Sequence, residues 1–440
     1  MRYSAIATNE RHQTGHFFRQ SLIATASTIS IAAFSACLAG GSAKADGGAC
    51  GTPSNNLVIC QNASYGDITY TAGTRLTLIL NNDNMVVNGT VAVSTTQTSG
   101  NADSEIDLNS FQRINGTVSS ISAGGQSLVY AYDGLVNGKL VSTSAGQGNV
   151  SVTLSGTEVV GAANSTLVEA LHNGNGDSFI VLQQSPDQST SSISVQSTGG
   201  QEAVAAHSKV TGFLSEAKIT MNGGMVTAQG ANSVGLFSEA GEGEAYVKVS
   251  AGSISSNGTA IRAITDKSGL NGHATIEIGE TNVFVGRSDI TGLIEAQSRN
   301  VDFFFNAGML AHDGAAVVRL EAYGINVQTG PKTLIESSGV GTAGLEVIAQ
   351  SATVSMDTPD FRANTLNAKS ILLKAAGDGA RFSLDSNAAD IDALGVGASA
   401  IVLDANQKKN VTFEASFERG EYSVDASSKA VIEVIAADGT

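Results

Sequence analysis

The feature that most restricts how this chain can fold is a repeat in its middle. The stretch GGMVTAQGANSVGL from Gly223 returns in altered form as AGSISSNGTAIRAI from Ala251. Successive copies are separated by 28, 29 and 27 residues, and the four copies begin at Ile219, Val247, Ile276 and Phe303. A period of this length is typical of repeat architectures, in which neighbouring copies pack on one another.

Within each copy the same positions carry the same kind of residue. Positions two, seven and seventeen after the start are apolar, as in Met221, Val249, Ile278 and Phe305; Val226, Ile254, Val283 and Leu310; and Leu236, Ile264, Leu293 and Leu320. Positions five and eleven are glycine in three copies, at Gly224, Gly252 and Gly308, and at Gly230, Gly258 and Gly314. Apolar residues two apart indicate short strands with one inward face, and the glycines indicate tight bends between strands.

The repeat predicts an all-β fold of stacked copies. No copy has the three-and-four spacing of apolar residues that a helix needs. A unit of this size cannot bury its apolar face alone, so each strand must pair with its counterpart in the next copy. The sequence therefore predicts a parallel β-solenoid in which inward Val, Ile and Leu residues form columns.

Composition extends this prediction beyond the four copies. The chain has 50 glycines and 4 prolines, yet its apolar fraction is 42%, which is enough to build a core. Less regular copies of the repeat occur at SVTLSGTEVV from Ser151 and at AVIEVIA from Ala430, with an insertion at 183–191. We therefore expect one continuous β-solenoid domain over residues 71–440.

Residues 1–45 have the composition of a secretory signal peptide. Arginines at positions 2, 11 and 19 precede an uncharged run from Ser21 to Gly41, and Ala43-Lys44-Ala45 matches a small-x-small cleavage site. We place the cleavage between Ala45 and Asp46, and we expect export through the Sec pathway. A transmembrane helix and lipidation at Cys37 are the two alternatives.

The charge of the chain argues against nucleic acid as a partner. The whole chain has a formal net charge of −16, and residues 46–440 keep 20 basic and 39 acidic residues. Such a surface repels phosphate backbones and anionic lipid.

Two cysteines follow the signal segment, Cys50 and Cys60, in the stretch CGTPSNNLVIC. A close, even pair in an exported protein predicts a disulfide that closes a short loop. We assign residues 46–70 to an N-terminal cap that contains this loop.

The phrases MNGGMVTAQGANSVGLFSE and SAGSISSNGTAIRAI resemble the passenger repeats of bacterial autotransporters. The long, arginine-bearing segment before the apolar run also looks like the extended signal peptides of that family. The resemblance covers most of residues 46–440, and it implies a right-handed parallel β-helix that is displayed at, or released from, the outer membrane of a Gram-negative bacterium.

Members of that family end in a membrane β-barrel, whereas this sequence ends in VIEVIAADGT, which still has the residue pattern of a solenoid strand. The resemblance therefore implies either a truncated passenger or export with the help of a separate translocator barrel. It also implies a ligand, protein or glycan, on a host or neighbouring cell.

The sequence contains no recognisable catalytic motif. Pectin-degrading enzymes of this fold carry Asn-Thr-Asp, Asp-Asp, Gly-His-Gly and Arg-Ile-Lys segments, and none of these occurs. The nearest fragments are Asn271-Gly272-His273 and Asn300-Val301-Asp302, which we interpret as a turn and a strand edge, and Gly176-Asp177-Ser178 has the context of a loop rather than of an esterase nucleophile. We expect the histidines after the signal to be exposed turn residues, and Phe303 and Phe305 to face the core.

These observations favour a structural and adhesive surface protein without catalytic activity, cofactor or metal. The alternative is a secreted, carbohydrate-active β-helix enzyme, which would require several charged side chains to converge on one groove.

Overall fold

A computed structural model of the protein describes residues 49–436, apart from residues 268, 280–287, 315 and 332. The signal segment 1–45, its cleavage site at Ala45–Asp46 and Cys37 lie outside the described residues. The described residues form an all-β structure without any helix, so no helix there is long and apolar enough to cross a bilayer.

The chain forms 34 strands in the described ranges. The first seventeen are β1 (Leu57–Cys60), β2 (Ser64–Tyr65), β3 (Ile68–Ala72), β4 (Leu76–Asn81), β5 (Met85–Asn88), β6 (Val91–Thr95), β7 (Ser104–Asn109), β8 (Gln112–Ser122), β9 (Ser127–Tyr132), β10 (Leu135–Ser144), β11 (Val150–Ser155), β12 (Glu158–Val160), β13 (Thr166–His172), β14 (Ser178–Gln183), β15 (Ser192–Gln196), β16 (Ala203–Val210) and β17 (Glu216–Gln229). The others are β18 (Ser233–Ala240), β19 (Glu244–Thr265), β20 (His273–Ile278), β21 (Ser288–Gln297), β22 (Asn300–Phe305), β23 (Gly308–His312), β24 (Ala316–Thr329), β25 (Thr333–Ser337), β26 (Ala343–Asp357), β27 (Asp360–Ala363), β28 (Lys369–Ala375), β29 (Arg381–Asn387), β30 (Ala389–Ala393), β31 (Ser399–Asp404), β32 (Thr412–Phe417), β33 (Gly420–Val424) and β34 (Ala430–Ile435).

The strands pair in parallel and form three ladders. The first ladder runs β1, β4, β7, β9, β11, β14, β17, β19, β20, β22, β24, β26, β29, β32. The second runs β2, β5, β8, β10, β12, β15, β17, β19, β21, β23, β25, β27, β30, β33, and the third runs β3, β6, β8, β10, β13, β16, β18, β19, β21, β24, β26, β28, β31, β34. Long strands such as β19 contribute to all three ladders, because the chain turns from one ladder into the next without leaving the extended conformation.

The core lies between the ladders and is formed by the inward-facing side chains at every second residue of the strands. Strand β3 is buried at every second residue, and β4 and β29 repeat this pattern, as expected for strands with one inward face. The first repeat position pairs as the sequence predicts, since Ile219 lies opposite Val247, Val247 opposite Ile276, and Ile276 opposite Phe303. Phe303 and Phe305 are fully buried, whereas Phe304 between them faces outward, which confirms the prediction for this segment.

Two of the predicted columns were wrong in part. Ile254 pairs with Ile290 rather than with Val283, which lies outside the described residues. In the third ladder Leu236 pairs with Ile261, and Ile264 is only half-buried. The physical reason is that turns between strands differ in length from copy to copy, so a fixed offset counted from the start of a copy loses the register.

A column of glycines lets successive turns approach closely at the bend between the second and third ladders. Gly89, Gly116 and Gly138 follow Asn88, Asn115 and Asn137, and the paired strands align them. A Cβ added to Gly138 would overlap the carbonyl oxygen of Gly116, and one added to Gly116 would overlap that of Gly89. Only glycine therefore fits at these positions.

The N-terminal part of the described chain is held by a disulfide. Cys50 and Cys60 are joined with their Cα atoms 5.0 Å apart. The Tyr70 hydroxyl donates to the Gly51 carbonyl at 2.9 Å and accepts from the Cys50 N–H at 2.9 Å. The first ladder begins at Leu57, the second at Ser64 and the third at Ile68, so the range 46–70 already contributes strands that pair with those that follow.

Candidate functional site

The outward side chains of the third ladder form a continuous row, in which charge alternates from Arg262 to Glu346. Because the strands are parallel and in register, equivalent outward residues of successive strands lie side by side. In chain order this row contains Glu169, His207, Phe237, Arg262, Glu295, Arg319 and Glu346. Opposite charges beside one another stabilise the stacking of the strands.

Arg262 lies in the middle of this row and beside a cleft of about 170 Å³. Its Nη1 is 2.7 Å from Oε1 of Glu202, and its Nε is 3.4 Å from Oε2 of Glu295. The guanidinium carbon also lies 5.3 Å from the centre of the Phe237 ring. Two carboxylates therefore neutralise the one cation in the cleft wall, and the cleft offers no free positive charge to an anionic ligand.

His207 and Glu239 form a second polar contact in the same ladder. The His207 ring stacks on Phe237 with 4.5 Å between ring centres, and its Nε2 is 3.1 Å from Oε2 of Glu239. Lys209 Nζ lies 2.8 Å from the other carboxylate oxygen. The hydrogen bond from His207, together with the charge and hydrogen bond of Lys209, lowers the pKa of Glu239 to about 2. This arrangement holds neighbouring strands together.

A different kind of site lies on the first ladder, where two carboxylates meet two tyrosines. Glu105 and Asp107 face outward from β7, and Tyr130 and Tyr132 face outward from β9. Asp107 lies opposite Tyr130 in the ladder, and the two tyrosine rings are nearly parallel with their centres 6.4 Å apart. We call these four residues the carboxylate–tyrosine cluster.

Asp107 is the chemically unusual member of this cluster. Its Oδ1 is buried and has no hydrogen-bond partner in the described part of the chain. Burial, followed by the nearby charge of Glu105, raises the pKa of Asp107 to about 6. Burial also raises the pKa of Tyr130. A carboxyl with a pKa of about 6 is protonated below that pH and in a minor fraction of molecules at neutral pH, and the protonated form is able to act as a general acid.

Sequence reasoning did not find the carboxylate–tyrosine cluster. Glu105 and Asp107 lie in SEIDLN and the tyrosines in SLVYAY, and neither phrase matches a catalytic motif. The only signal was a pair of acidic residues two apart in a strand, which share one face. Only the pairing of β7 with β9 reveals that tyrosines cover them.

A polar network follows further along the same ladder. The Tyr246 hydroxyl donates to Oε2 of Glu277 at 2.6 Å, and Lys248 Nζ lies 3.0 Å from Oε1 of the same carboxylate. Lys218 Nζ sits 4.3 Å from the centre of the Tyr246 ring. Each charge in this network has a partner of opposite sign or an aromatic face, which is typical of a stabilising surface ladder.

The histidines depart from the expectation of exposed turn residues. His172 is fully buried, and its Nδ1 accepts the N–H of Gly174 at 2.9 Å. Burial lowers the pKa of His172, so its ring is held neutral. His312 is also largely buried. The prediction was wrong for these two because glycine-rich turns pack closely enough to enclose a ring. It was also wrong for His207, which lies within β16 and whose side chain is only 15% exposed.

The structure brings together the two fragments that most resembled enzyme motifs. His273 and Asp302 lie on the adjacent strands β20 and β22, with Nε2 and Oδ2 2.9 Å apart. The Gly176-Asp177-Ser178 segment is a turn in which the Asp177 carboxylate accepts the N–H of Glu216 at 2.9 Å. In the described ranges no three His, Cys, Asp or Glu side chains converge in the manner of a metal site.

Comparison with known proteins adds no identification. A scan against protein-family models, a search of curated proteins and a search of solved structures each find no match to this chain.

Proposed function

We propose that this protein is an exported passenger-like protein whose strands wind as a right-handed parallel β-helix. Three parallel ladders that share one core support this architecture, because a chain can feed all three only by returning to each in turn. A connection between parallel strands of the same sheet is almost always right-handed. The arginine-bearing segment before the apolar run, and the repeat phrases, support export and display at the surface of a Gram-negative cell.

Its role at the surface is adhesive and structural: it binds a protein or glycan on a host or neighbouring cell. One observation carries this proposal, namely that outward side chains of successive strands lie in register, so that each ladder presents a continuous row of closely spaced side chains. Such a surface binds through many weak contacts, and its strength depends on the number of repeats engaged.

The test measures the location of the protein at the cell surface and its binding to other cells in two separate assays. The full-length chain is produced in a Gram-negative host, and intact cells are treated with a protease that cannot enter them. We expect loss of the protein from intact cells or its recovery in the medium, together with adhesion of coated beads to cultured cells. A protein that stays protected inside cells and coated beads that adhere no better than albumin-coated beads would contradict the proposal.

A second candidate function is a carbohydrate-active enzyme, and the carboxylate–tyrosine cluster is the observation that favours it. Asp107 would protonate the leaving oxygen of a glycoside as its bond to the anomeric carbon breaks, and Glu105 would take a proton from the water that bonds to that carbon. We expect release of reducing sugars from at least one member of a polysaccharide panel, with loss of activity in Asp107→Asn. The matched control is Asp302→Asn on the same ladder. Absence of released sugar from the unmodified protein would remove this candidate.

A further inference from the structure

Exposed aliphatic side chains recur at the same place in three consecutive turns near the end of the described chain. These turns join the second ladder to the third, and they span residues 338–342, 364–368 and 394–398. At their tips Val340, Leu366 and Val396 have exposed fractions of 72%, 47% and 59%. Earlier turns at this corner, such as Gly230-Ala231-Asn232, present only small or polar residues.

Backbone hydrogen bonds stack these turns on one another. The Gly341 N–H donates to the Leu366 carbonyl at 2.8 Å, and the Asn367 N–H donates to the Val396 carbonyl at 2.8 Å. Neighbouring parallel strands are about 4.8 Å apart, so the three tips follow one another at roughly that spacing. Leu394, exposed by 43%, extends the same surface. We call Val340, Leu366, Leu394 and Val396 the aliphatic strip.

The strands that lead into these turns carry an excess of carboxylates. The outward charged residues of β25, β27, β30 and β33 are Glu336, Asp360, Arg362, Asp390, Asp392 and Glu421. Five acidic residues and one basic residue give this flank a net charge of −4. Arg362 is engaged by Asp360, with Nη2 2.7 Å from Oδ2.

Two further carboxylates of this flank are held in place by neutral donors. Oδ1 of Asp390 accepts the Glu421 N–H at 3.1 Å, and Oδ1 of Asp392 accepts the Ser423 hydroxyl. These hydrogen bonds fix the carboxylates without neutralising them. On the opposite side of the aliphatic strip, the outward residues of β26, β28, β31 and β34 carry charges of both signs, namely Glu346, Lys369, Lys374, Asp404 and Glu433. Three acidic and two basic residues give that side a net charge of −1, so most of the negative charge lies on the acidic flank.

We propose that the aliphatic strip and its acidic flank form a docking surface for a basic amphipathic segment of a partner protein. An aliphatic row beside a row of fixed carboxylates matches a segment with Leu or Val on one face and Lys or Arg on the next. The charge argues against the other occupants, because a second copy of this chain has a net charge of −16 and an anionic bilayer is also negative. This inference deepens the binding role proposed above and rests on it.

The experiment uses the full-length chain and a fluorescent 18-residue peptide of Leu and Lys arranged to form an amphipathic helix. Binding is measured by fluorescence anisotropy at two salt concentrations. We expect saturable binding that weakens as salt rises, since rim charges are screened. A peptide with the same composition in scrambled order, and one with Glu in place of Lys, should bind at least about 10-fold more weakly.

Two sets of variants locate the site. Val340→Ser combined with Leu366→Ser and Val396→Ser should weaken binding about 10-fold or more, which corresponds to about 1.4 kcal/mol. Asp390→Asn with Asp392→Asn should weaken binding and flatten its salt dependence. The matched control is Leu270→Ser, which changes an aliphatic side chain that is 74% exposed at another corner; its affinity should stay within about twofold. These positions are on the surface, so circular dichroism should show an unchanged fold.

Several outcomes would overturn the inference: no saturable binding, equal loss in Leu270→Ser and in the triple variant, equal binding of the Glu peptide, or self-association that the triple variant abolishes. Binding to vesicles of anionic lipid in place of the peptide would overturn it as well. Failure of the inference is distinguishable from failure of the surface role, because peptide binding is measured in solution and cell-surface location by protease accessibility.

Discussion

Replacing Asp107 by Asn is expected to stabilise the strands around it at neutral pH. Burial, and then the charge of Glu105, raise the pKa of Asp107 from 3.8 to about 6. One pKa unit corresponds to about 1.4 kcal/mol, so holding this carboxylate ionised above pH 6 costs the folded state about 3 kcal/mol relative to the unfolded chain. We expect Asp107→Asn to raise the free energy of local unfolding by about 1–2 kcal/mol. The gain is smaller than the full cost because the side chain is partly exposed and because the amide also lacks hydrogen-bond partners.

The stabilising effect of Asp107→Asn should depend on pH. A carboxyl whose folded pKa is raised favours the folded state at low pH, and that contribution is lost as pH rises through about 6. The stabilisation by Asp107→Asn should therefore be full at pH 7.5 and shrink to a small fraction at pH 4, where the carboxyl is protonated in the folded state and, with a pKa of 3.8, about 40% protonated in the unfolded chain.

The assay must report local stability, because long repeat arrays do not unfold as one unit. Native-state amide hydrogen exchange of β7 and β9 supplies this readout. Asp385→Asn is the matched control, since Asp385 faces outward in the same ladder but is exposed, and its effect should stay within about 0.5 kcal/mol. Destabilisation by Asp107→Asn at pH 7.5, or an equal effect at both pH values, would refute the reasoning.

Three further predictions concern other parts of the fold. Gly138→Ala should destabilise β8 and β10 by about 2–4 kcal/mol, because its Cβ would overlap the Gly116 carbonyl oxygen; unchanged exchange of those strands would contradict this. Cys60→Ser should lower the free energy of local unfolding of β1 to β4 by about 2–3 kcal/mol, because it removes the disulfide. An equal loss of stability along the whole described chain would contradict a local effect. Glu239→Gln should cost about 1 kcal/mol at pH 7, allowing for its 31% exposure, measured by exchange of β16 and β18. The contribution of Glu239 is present above pH 4.5 and is lost as pH falls towards 2, so the variant and the parent protein should converge there.

The strand columns could be predicted where the chain between them has constant length. The alignment was correct for the fourth residues of four successive strands of one ladder, Ile219, Val247, Ile276 and Phe303. The alignment failed at Ile254, because nine residues separate Ile278, the end of β20, from Ser288, the start of β21. The positions paired with these two in the preceding copy, Val249 and Gly252, have only two residues between them. Turns lie outside the core, and the packing of the core does not restrict their length.

The candidate sites could not be predicted in the same way. The carboxylate–tyrosine cluster joins residues more than twenty positions apart, and the raised pKa of Asp107 depends on the rings that cover it. The burial of His172 likewise depends on how closely neighbouring glycine turns approach. Both are properties of contacts between strands, and a pattern within one strand contains no information about its neighbours.

The register between repeats has a consequence for how this chain can change in length. Because Ile219 lies opposite Val247, and Val226 opposite Ile254, removing residues 219–246 would bring equivalent backbone positions together. The remaining strands would find partners of the same kind, with Ile180 then facing Val247. Genes for such a protein can gain or lose whole units without a new core, whereas a deletion of half a unit would place strands of one ladder opposite those of another at the junction.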